Sequence, residues 1–342
     1  MSPKNLSVTK KIPKLLISKL KNKKINTIYK KFENSFNINE NFIVAVSGGP
    51  DSLALAFLAK IYSIKKSLTS KFLIVDHKLR PESTKEARTV KKILGKNLIN
   101  TKILTWKGNK PIKNIQSLAR KKRYELLFAE SDKLKIDNIL LGHHRNDLIE
   151  NFFIRMLRGS GLRGLVSLDK KVKLGKKNLL RPLMDYKKED LIFVAKLVFD
   201  FYVEDPTNKD ENFKRIKIRK LIKDLKENGL DELKLLKTIK NLKYSNNVVE
   251  FYVKENFKRN GLFLKRKNKL IINKIFFEQP YEIIFRTLSE AIKLVGKKYY
   301  SVRGKKLDKI IEQIIKDQFF KVTLGGCIIE KVNQTVIISK EH

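Results

Sequence analysis

A single cysteine, Cys327, stands in a chain of 342 residues, so an internal disulfide and a cysteine-based zinc site are both excluded. A reducing compartment, by default the cytoplasm, is expected. Long apolar runs are missing as well. The longest, Leu53 to Ala59, is far short of the ~18 residues of a bilayer-spanning helix, and no membrane partner is expected. Acidic residues are scarce, 35 against 76 lysines and arginines, which leaves a net charge of +41 at pH 7. No internal repeat and no Gly/Ser-rich or proline-rich linker divides the chain. Neither a G-x-x-x-x-G-K-S/T loop nor an H-E-x-x-H pair occurs, which disfavours a Walker-type kinase or GTPase and metal binding by the histidines.

What is present describes a folded protein. Hydrophobic residues make up 42% and aromatics 9%, too much apolar surface for a disordered polycation, and the length suggests two domains at ~150 residues each. Of the 76 basic residues 15 are arginine, so 76 − 15 = 61 are lysine, and part of the charge reflects this drift toward lysine. The remainder makes a polyanion the leading partner, because phosphates bind such a surface with release of counterions.

Residues 1–40 form a basic segment with ten lysines and no acid before Glu33, and Leu15, Leu16, Ile17 and Leu20 give it one apolar helical side. It resembles neither a secretory signal nor an Arg- and Ser-rich transit peptide, so a basic first helix of the folded protein is expected. From Asn41 short apolar runs alternate with helix-period segments. Phe42 to Val46, Phe72 to Val75, Ile103 to Trp106, Ile139 to Leu141 and Leu179 to Leu183 read as buried strands. Ser52 to Ser63, Thr84 to Leu94, Ile115 to Leu134 and Asp147 to Leu157 read as helices. Over residues 41–228 this alternation predicts a parallel sheet covered on both faces, with ligands outside the carboxyl ends of the strands. Over residues 229–342 it stops. A long basic helix over Asp231 to Phe257, a strand-like Leu262 to Ile272 and helices over Tyr281 to Val295 and Leu307 to Ile315 follow. A strand pair, Phe319 to Leu324 and Ile328 to Ile338, turns at Gly325-Gly326 and completes a smaller basic α+β module.

Ser47-Gly48-Gly49-Pro50-Asp51-Ser52 lies between the first strand and an apolar helix. Its glycines permit a tight turn with exposed amides, the helix start adds a positive dipole, and the serine hydroxyls can donate to phosphate oxygens. The segment predicts a phosphate cradle. Gly159 to Gly164 matches G-x-G-x-x-G, but a helix containing Phe152, Phe153, Met156 and Leu157 precedes it where the dinucleotide fingerprint needs a strand. A flexible basic loop with Arg155, Arg158 and Arg163, able to approach a phosphate or a carboxylate closely, is expected instead. Three of the four histidines, His77, His143 and His144, fall at carboxyl ends of strands. Seven of the 15 arginines (Arg120, Arg123, Arg145, Arg155, Arg158, Arg163, Arg181) cluster within residues 120–181, where a bidentate fork suits phosphates and carboxylates. Asp147 and Glu150, three apart on one helix, place two carboxylates on one face, to hold magnesium or a substrate amine or to cap the helix.

The loop at 47–52 resembles the S-G-G-x-D-S pyrophosphate loop of the PP-loop ATP pyrophosphatases. Further motifs follow in consistent order over residues 40–220: Val75-Asp76-His77-Lys78-Leu79-Arg80, Asn114-Ile115-Gln116, Ala119-Arg120, Arg123-Tyr124, Gly142-His143-His144, Leu157 to Leu165 and Glu204-Asp205-Pro206-Thr207-Asn208. Together they resemble the tRNA(Ile)-lysidine synthetases. Where that family commonly carries H-H-x-D-D-Q-x-E-T, this chain reads His143-His144-Arg145-Asn146-Asp147-Leu148-Ile149-Glu150-Asn151, so Asn146 replaces an acid while Asp147 and Glu150 remain. The resemblance implies an α/β fold: a Rossmann-like parallel-sheet PP-loop domain, similar to the adenine nucleotide alpha hydrolases, followed by a basic C-terminal region for tRNA.

The activity implied is a carbon–nitrogen ligation in tRNA modification. ATP adenylates the C2 oxygen of the wobble cytidine in an isoleucine tRNA with a CAU anticodon and releases pyrophosphate; L-lysine then attacks C2 and expels AMP, leaving lysidine. The resemblance places ATP on Ser47, Gly48, Gly49, Pro50, Asp51 and Ser52, with Asp51 also reaching Mg2+. It makes Asp51, Arg123, Asp147 and Glu150 the catalytic set, and Arg120, His77, His143, Arg158 and Arg163 further nucleotide or substrate contacts. The division of work between Asp147 and Glu150 stays open, as does the oligomeric state, with a homodimer among the options. An ammonia-dependent NAD synthetase-like ligase is one rival, but it would not require the basic C-terminal half. A non-catalytic nucleic-acid-binding protein is another, and it leaves the ordered motifs unexplained. Thiolases and glutamine-dependent relatives are disfavoured because the single cysteine lies in the C-terminal module.

Overall fold

In Phe42–Val46 (β1) the side chains alternate between two apolar layers: Phe42, Val44 and Val46 enter one core, Ile43 and Ala45 the other. A strand buried on both faces belongs in a covered parallel sheet, and that is what the computed structural model contains. It describes residues 12–108, 115–204, 214–298, 302, 304–318 and 321–341. Asn114, Asp205 to Asn208, Phe319, Phe320 and His342 lie outside the described residues. The chain divides into two compact units, Met1–Leu233 and Lys234–His342.

In the first unit, α1 (Lys14–Leu20) and α2 (Lys23–Ser35) precede β1, and then α3 (Pro50–Lys65), β2 (Ser70–Asp76), α4 (Ser83–Lys96) and β3 (Thr101–Thr105) follow. The chain continues through α5 (Ile115–Leu134), β4 (Asn138–Leu140), α6 (Arg145–Met156), the short α7 (Leu162–Leu165), β5 (Lys171–Leu174), β6 (Lys177–Leu180), α8 (Lys188–Phe199) and α9 (Lys214–Glu227). The sheet order is β3-β2-β1-β4-β6-β5; β5 is antiparallel to β6 and every other pairing is parallel. Strand order reverses between β1 and β4. That switch point opens a crevice at the carboxyl ends of both strands.

Leu53 to Ala59 of α3 are all fully buried, which explains an apolar run with no polar face. The lysine-rich segment at the start is part of this unit: Leu16, Ile25, Ile28, Tyr29 and Phe32 enter the same core as α3 and α8. Leu15 and Ile17, expected on the apolar side of α1, face outward instead, since a helix this short buries a single row. The helices α8 and α9 and the edge strand β5 carry no expectation from the sequence, while the strand expected over Leu179 to Leu183 appears as β6, shifted to Lys177–Leu180. Lysines on β5 blur its alternation, and Gly175, at φ +61°, makes the turn.

The second unit begins along α10 (Glu232–Asn260), followed by β7 (Gly261–Leu264), β8 (Lys269–Ile272), α11 (Tyr281–Val295), α12 (Gly304–Ile315), β9 (Lys321–Leu324), β10 (Cys327–Val332) and β11 (Thr335–Lys340). Its antiparallel sheet runs β7-β8-β11-β10-β9 and shares a core with the apolar faces of α11 and α12. Gly325 and Gly326, both at positive φ, form the expected hairpin, pairing Leu324 with Cys327. Two stretches expected as single strands are hairpins. Leu262 to Ile272 turns through Asn268 at φ +44° and Ile328 to Ile338 through Asn333 at φ +52°, because asparagine tolerates the left-handed region. Among the described residues no helix is long and apolar enough to cross a membrane.

Candidate active site at the sheet switch point

The loop leaving β1 is held by its own serines. The Ser47 amide donates to Ser52 Oγ at 3.1 Å, Ser47 Oγ donates to the same oxygen at 3.2 Å, and Ser52 Oγ donates to the Gly49 carbonyl at 2.9 Å. Gly48 sits at φ +87°, and a Cβ there would lie 2.7 Å from Val90 Cγ2 and 3.0 Å from Val203 Cγ2, so no other residue fits. Pro50 opens α3, where its missing N–H removes a donor that would have no partner in the helix. The resulting turn presents the N-terminus of a sixteen-residue helix to the crevice. Ser52, expected to reach phosphate, is buried and shapes the turn.

The loop leaving β4 approaches closely. A Cβ on Gly142 would come 3.1 Å from the Ser52 amide nitrogen, so glycine allows the two loops to touch. At the start of α6 the His144 amide donates to Asp147 Oδ2 at 2.9 Å and the Asn146 amide donates to His144 Nδ1 at 3.2 Å. Asn146 therefore contributes its backbone to the cap of α6. Asp51, in the first turn of α3, places Oδ2 3.6 Å from His144 Nε2, and its Oδ1 is buried with no hydrogen-bond partner among the described residues. Burial raises the Asp51 pKa; the His144 ring opposes this, Asp147 adds to it and Lys188 opposes it.

Beside this junction lies a group of cations. Arg123 Nε on α5 donates to His77 Nε2 at 3.3 Å, and Arg120 Nη2 donates to the Tyr124 hydroxyl at 3.2 Å with its guanidinium over that ring. Burial pulls the His77 pKa down to about 4, and Arg123 adds to the effect. Burial likewise takes His143 to about 4; Asp147 opposes the shift, while Arg181, Arg120 and Arg215 reinforce it. Both Nδ1 atoms and Arg181 Nε are buried with no hydrogen-bond partner among the described residues. Two neutral imidazoles beside several guanidinium groups make a cationic surface of the kind that can receive phosphate oxygens. Asp76 is structural. Burial alone would raise its pKa, but bonds from Thr84, the Lys78 amide and Ser83 outweigh that and hold it below the usual range.

The histidines have a consequence for stability. Each has a folded pKa of about 4 against 6.5 for the free side chain, so the unfolded chain binds more protons between these values. Stability is then lost as pH falls through that window. The unfolding temperature is expected to drop between neutrality and about pH 4.5, and His77→Gln is expected to lessen the drop. Thermal unfolding monitored by circular dichroism at several pH values checks this, and an unchanged pH dependence in the variant would refute it.

Asp147 and Glu150 have different hydrogen-bond partners. Asp147 belongs to the His144 junction, whereas Glu150 is buried and accepts from Arg219 Nε of α9 at 2.6 Å. The Glu150–Arg219 pair lines a cleft of about 300 Å³ with Asn146, Ile149, Lys188 and Ile222. Arg158 and Arg163 are exposed, after α6 and on α7 respectively; the G-x-G-x-x-G stretch that contains Arg163 follows a helix, as its context predicts. Lys188, Arg215 and Arg219 join the site without having been singled out from the sequence, together with His144 and Arg181, which the sequence placed at the ligand edge and in the arginine cluster. For Arg215 and Arg219 the available signal is two arginines in the lysine-rich α9 of a chain that otherwise uses lysine.

A glycine-serine turn joining the first strand to a helix at the switch point of a parallel sheet defines a PP-loop protein, and residues 18–225 match the model of the PP-loop domain family. The U34-tRNA thiolase NcsA from Methanococcus maripaludis has the same fold, with a TM-score of 0.54 at 20% identity over 64% of this chain and 79% of that one. Sequence relatives are more specific. The tRNA(Ile)-lysidine synthase of Wolbachia pipientis wMel is 33% identical over 310 residues, which span 89% of this chain and 71% of that protein. That of Orientia tsutsugamushi (strain Boryong) is 32% identical over 321 residues, 90% of this chain and 71% of that protein. The chain belongs to the tRNA(Ile)-lysidine synthase family.

Proposed function

We propose that this chain uses ATP to join L-lysine to C2 of the wobble cytidine in an isoleucine tRNA with a CAU anticodon. The observation that carries the reading is the meeting, at one switch point, of the 47–52 turn, the Asp51–His144–Asp147 junction and the Glu150–Arg219 cleft. The turn and the start of α3 take the triphosphate tail. Arg123, fixed through Nε on His77, directs its remaining N–H groups toward the α-phosphate, with Arg120 beside it. An unstacked anticodon-loop cytosine offers its C2 oxygen at little cost. That oxygen attacks the α-phosphorus as the bond to the bridging oxygen breaks and pyrophosphate leaves. The lysine amine, once deprotonated, attacks C2; the C2–O bond then breaks and AMP departs with the electron pair. The protein contributes position and charge, with no covalent intermediate on its own side chains.

Among the described residues no cluster of three metal-ligating side chains exists. Mg2+ needs only one or two carboxylates when phosphates and water complete its shell, and the idle buried Asp51 Oδ1 fits that role. When bound, the ion neutralises charge on the departing pyrophosphate.

The cleft, lined also by Lys223, Lys226 and Glu232, has room for lysine: Glu150 would take its α-ammonium group, Lys188 and Arg219 its carboxylate, and Ile149 and Ile222 its methylene stem. Asp147, on the His144 side, serves the nucleotide. Glu150→Gln is expected to raise the KM for lysine by about tenfold to a hundredfold and leave the KM for ATP within about threefold. Steady-state kinetics with each substrate varied tests this; a changed ATP KM with an unchanged lysine KM would exchange the two roles.

The second unit supplies a basic surface for the tRNA. Replacing the exposed Lys237, Lys240, Lys254 and Lys258 of α10 by glutamine is expected to weaken tRNA binding and flatten its dependence on salt. Filter binding across a salt series reads the slope, and an unchanged slope would move the main docking surface to the first unit.

A further inference from the structure

His144 is buried at the start of α6, and its ring lies between two carboxylates that belong to different elements. Its Nδ1 accepts from the Asn146 amide at 3.2 Å, so in the neutral ring the proton resides on Nε2. That Nε2 lies 3.6 Å from Asp51 Oδ2 on α3 and 3.6 Å from Asp147 Oδ2 on α6. Both separations are just beyond hydrogen-bond length, a gap that active sites close when substrate binds. The two elements are already in contact here, with Gly142 against the Ser52 amide. Asp147 Oδ2 is fixed by the His144 amide, whereas among the described residues Asp51 receives no hydrogen bond from another side chain, and its Oδ1 is idle.

We infer that His144 is a positioning residue for the ligation. Its Nε2–H directs Asp51 Oδ2, which turns Oδ1 toward the nucleotide and ties the phosphate turn to α6. The same ring caps α6 through Nδ1, so one side chain performs two separable jobs with its two nitrogens. The inference rests on the 47–52 turn being the phosphate site.

Asparagine and glutamine separate the jobs. The carboxamide oxygen of asparagine can accept from the Asn146 amide as Nδ1 does, while offering nothing at the Nε2 position. Glutamine extends far enough to bring a donor to the carboxylates. His144→Asn is expected to unfold within a few degrees of the parent and to bind tRNA within about twofold. Its kcat for AMP formation should fall about tenfold to a hundredfold, the usual range for a group that orients a ligand, and its affinity for a non-hydrolysable ATP analogue with Mg2+ should fall in parallel. His144→Gln should recover most of both losses. Normal turnover and analogue affinity in His144→Asn would overturn the inference, as would joint losses in both variants that track a lowered unfolding temperature, since His144 would then be only a cap. Failure of the underlying phosphate site has a different signature: Asp51→Ala would itself retain AMP formation.

Discussion

Replacing Asp51 by alanine is expected to reduce tRNA-dependent AMP formation by about a thousandfold, ~4 kcal/mol of transition-state stabilisation, while tRNA affinity stays within about threefold. The carboxylate is largely withdrawn from water at the N-terminus of α3, and burial raises its pKa. Its ionised form is therefore poorly solvated and gains more than an exposed carboxylate from a nearby cation. One oxygen faces His144 and the other has no partner among the described residues, so the residue is arranged to receive a charge from outside the protein. Alanine leaves that charge on the phosphates uncompensated. On the proposed reading the tRNA docks through its phosphates on the basic second unit, so its binding is expected to change little. Thin-layer analysis of labelled nucleotide with filter binding of tRNA separates the two effects, and ordinary turnover by the variant would disprove the phosphate site at this turn.

Arg123→Ala is expected to lower pyrophosphate release by a similar factor, about a thousandfold, the scale of a guanidinium that meets charge developing during phosphoryl or nucleotidyl transfer. The geometry behind the claim is its anchoring: Nε is held by the neutral His77 ring, which leaves the two terminal nitrogens to point elsewhere. Lysine at this position carries the charge without the fork, so Arg123→Lys should recover only a small part of the rate. The KM for lysine should be unchanged, because Arg123 does not line the Glu150–Arg219 cleft. Pyrophosphate release followed with a coupled assay reads the rate. Full activity in Arg123→Lys would mean that charge alone suffices and would refute a bidentate role.

How much of this was legible in the sequence follows from how local each feature is. The phosphate turn depends on two glycines, a proline and the helix they start, all within a few residues, and is readable directly. The parallel sheet was readable from alternating apolar runs, and its switch point followed from chain order once β4 paired with β1. The antiparallel β5 edge was hidden by lysines, and two asparagine turns split what looked like continuous strands. The site's pairings were the least accessible. Glu150 and Asp147 are neighbours on one helix and read as a pair, yet Glu150 meets an arginine 69 residues away and Asp147 faces Asp51 across His144. Such contacts arise from packing between α6, α9 and α3, which local spacing does not encode.

A bond between lysine and a cytidine in tRNA, formed at the expense of ATP, leaves a product of defined mass. Mass analysis of an isoleucine tRNA with a CAU anticodon, after incubation with the protein, ATP, Mg2+ and lysine, tests for it most directly. The predicted result is an anticodon-loop fragment heavier by one lysine less one water, formed only when ATP and lysine are both present. An unmodified fragment recovered alongside tRNA that the protein demonstrably binds would mean that the chain does not catalyse this ligation.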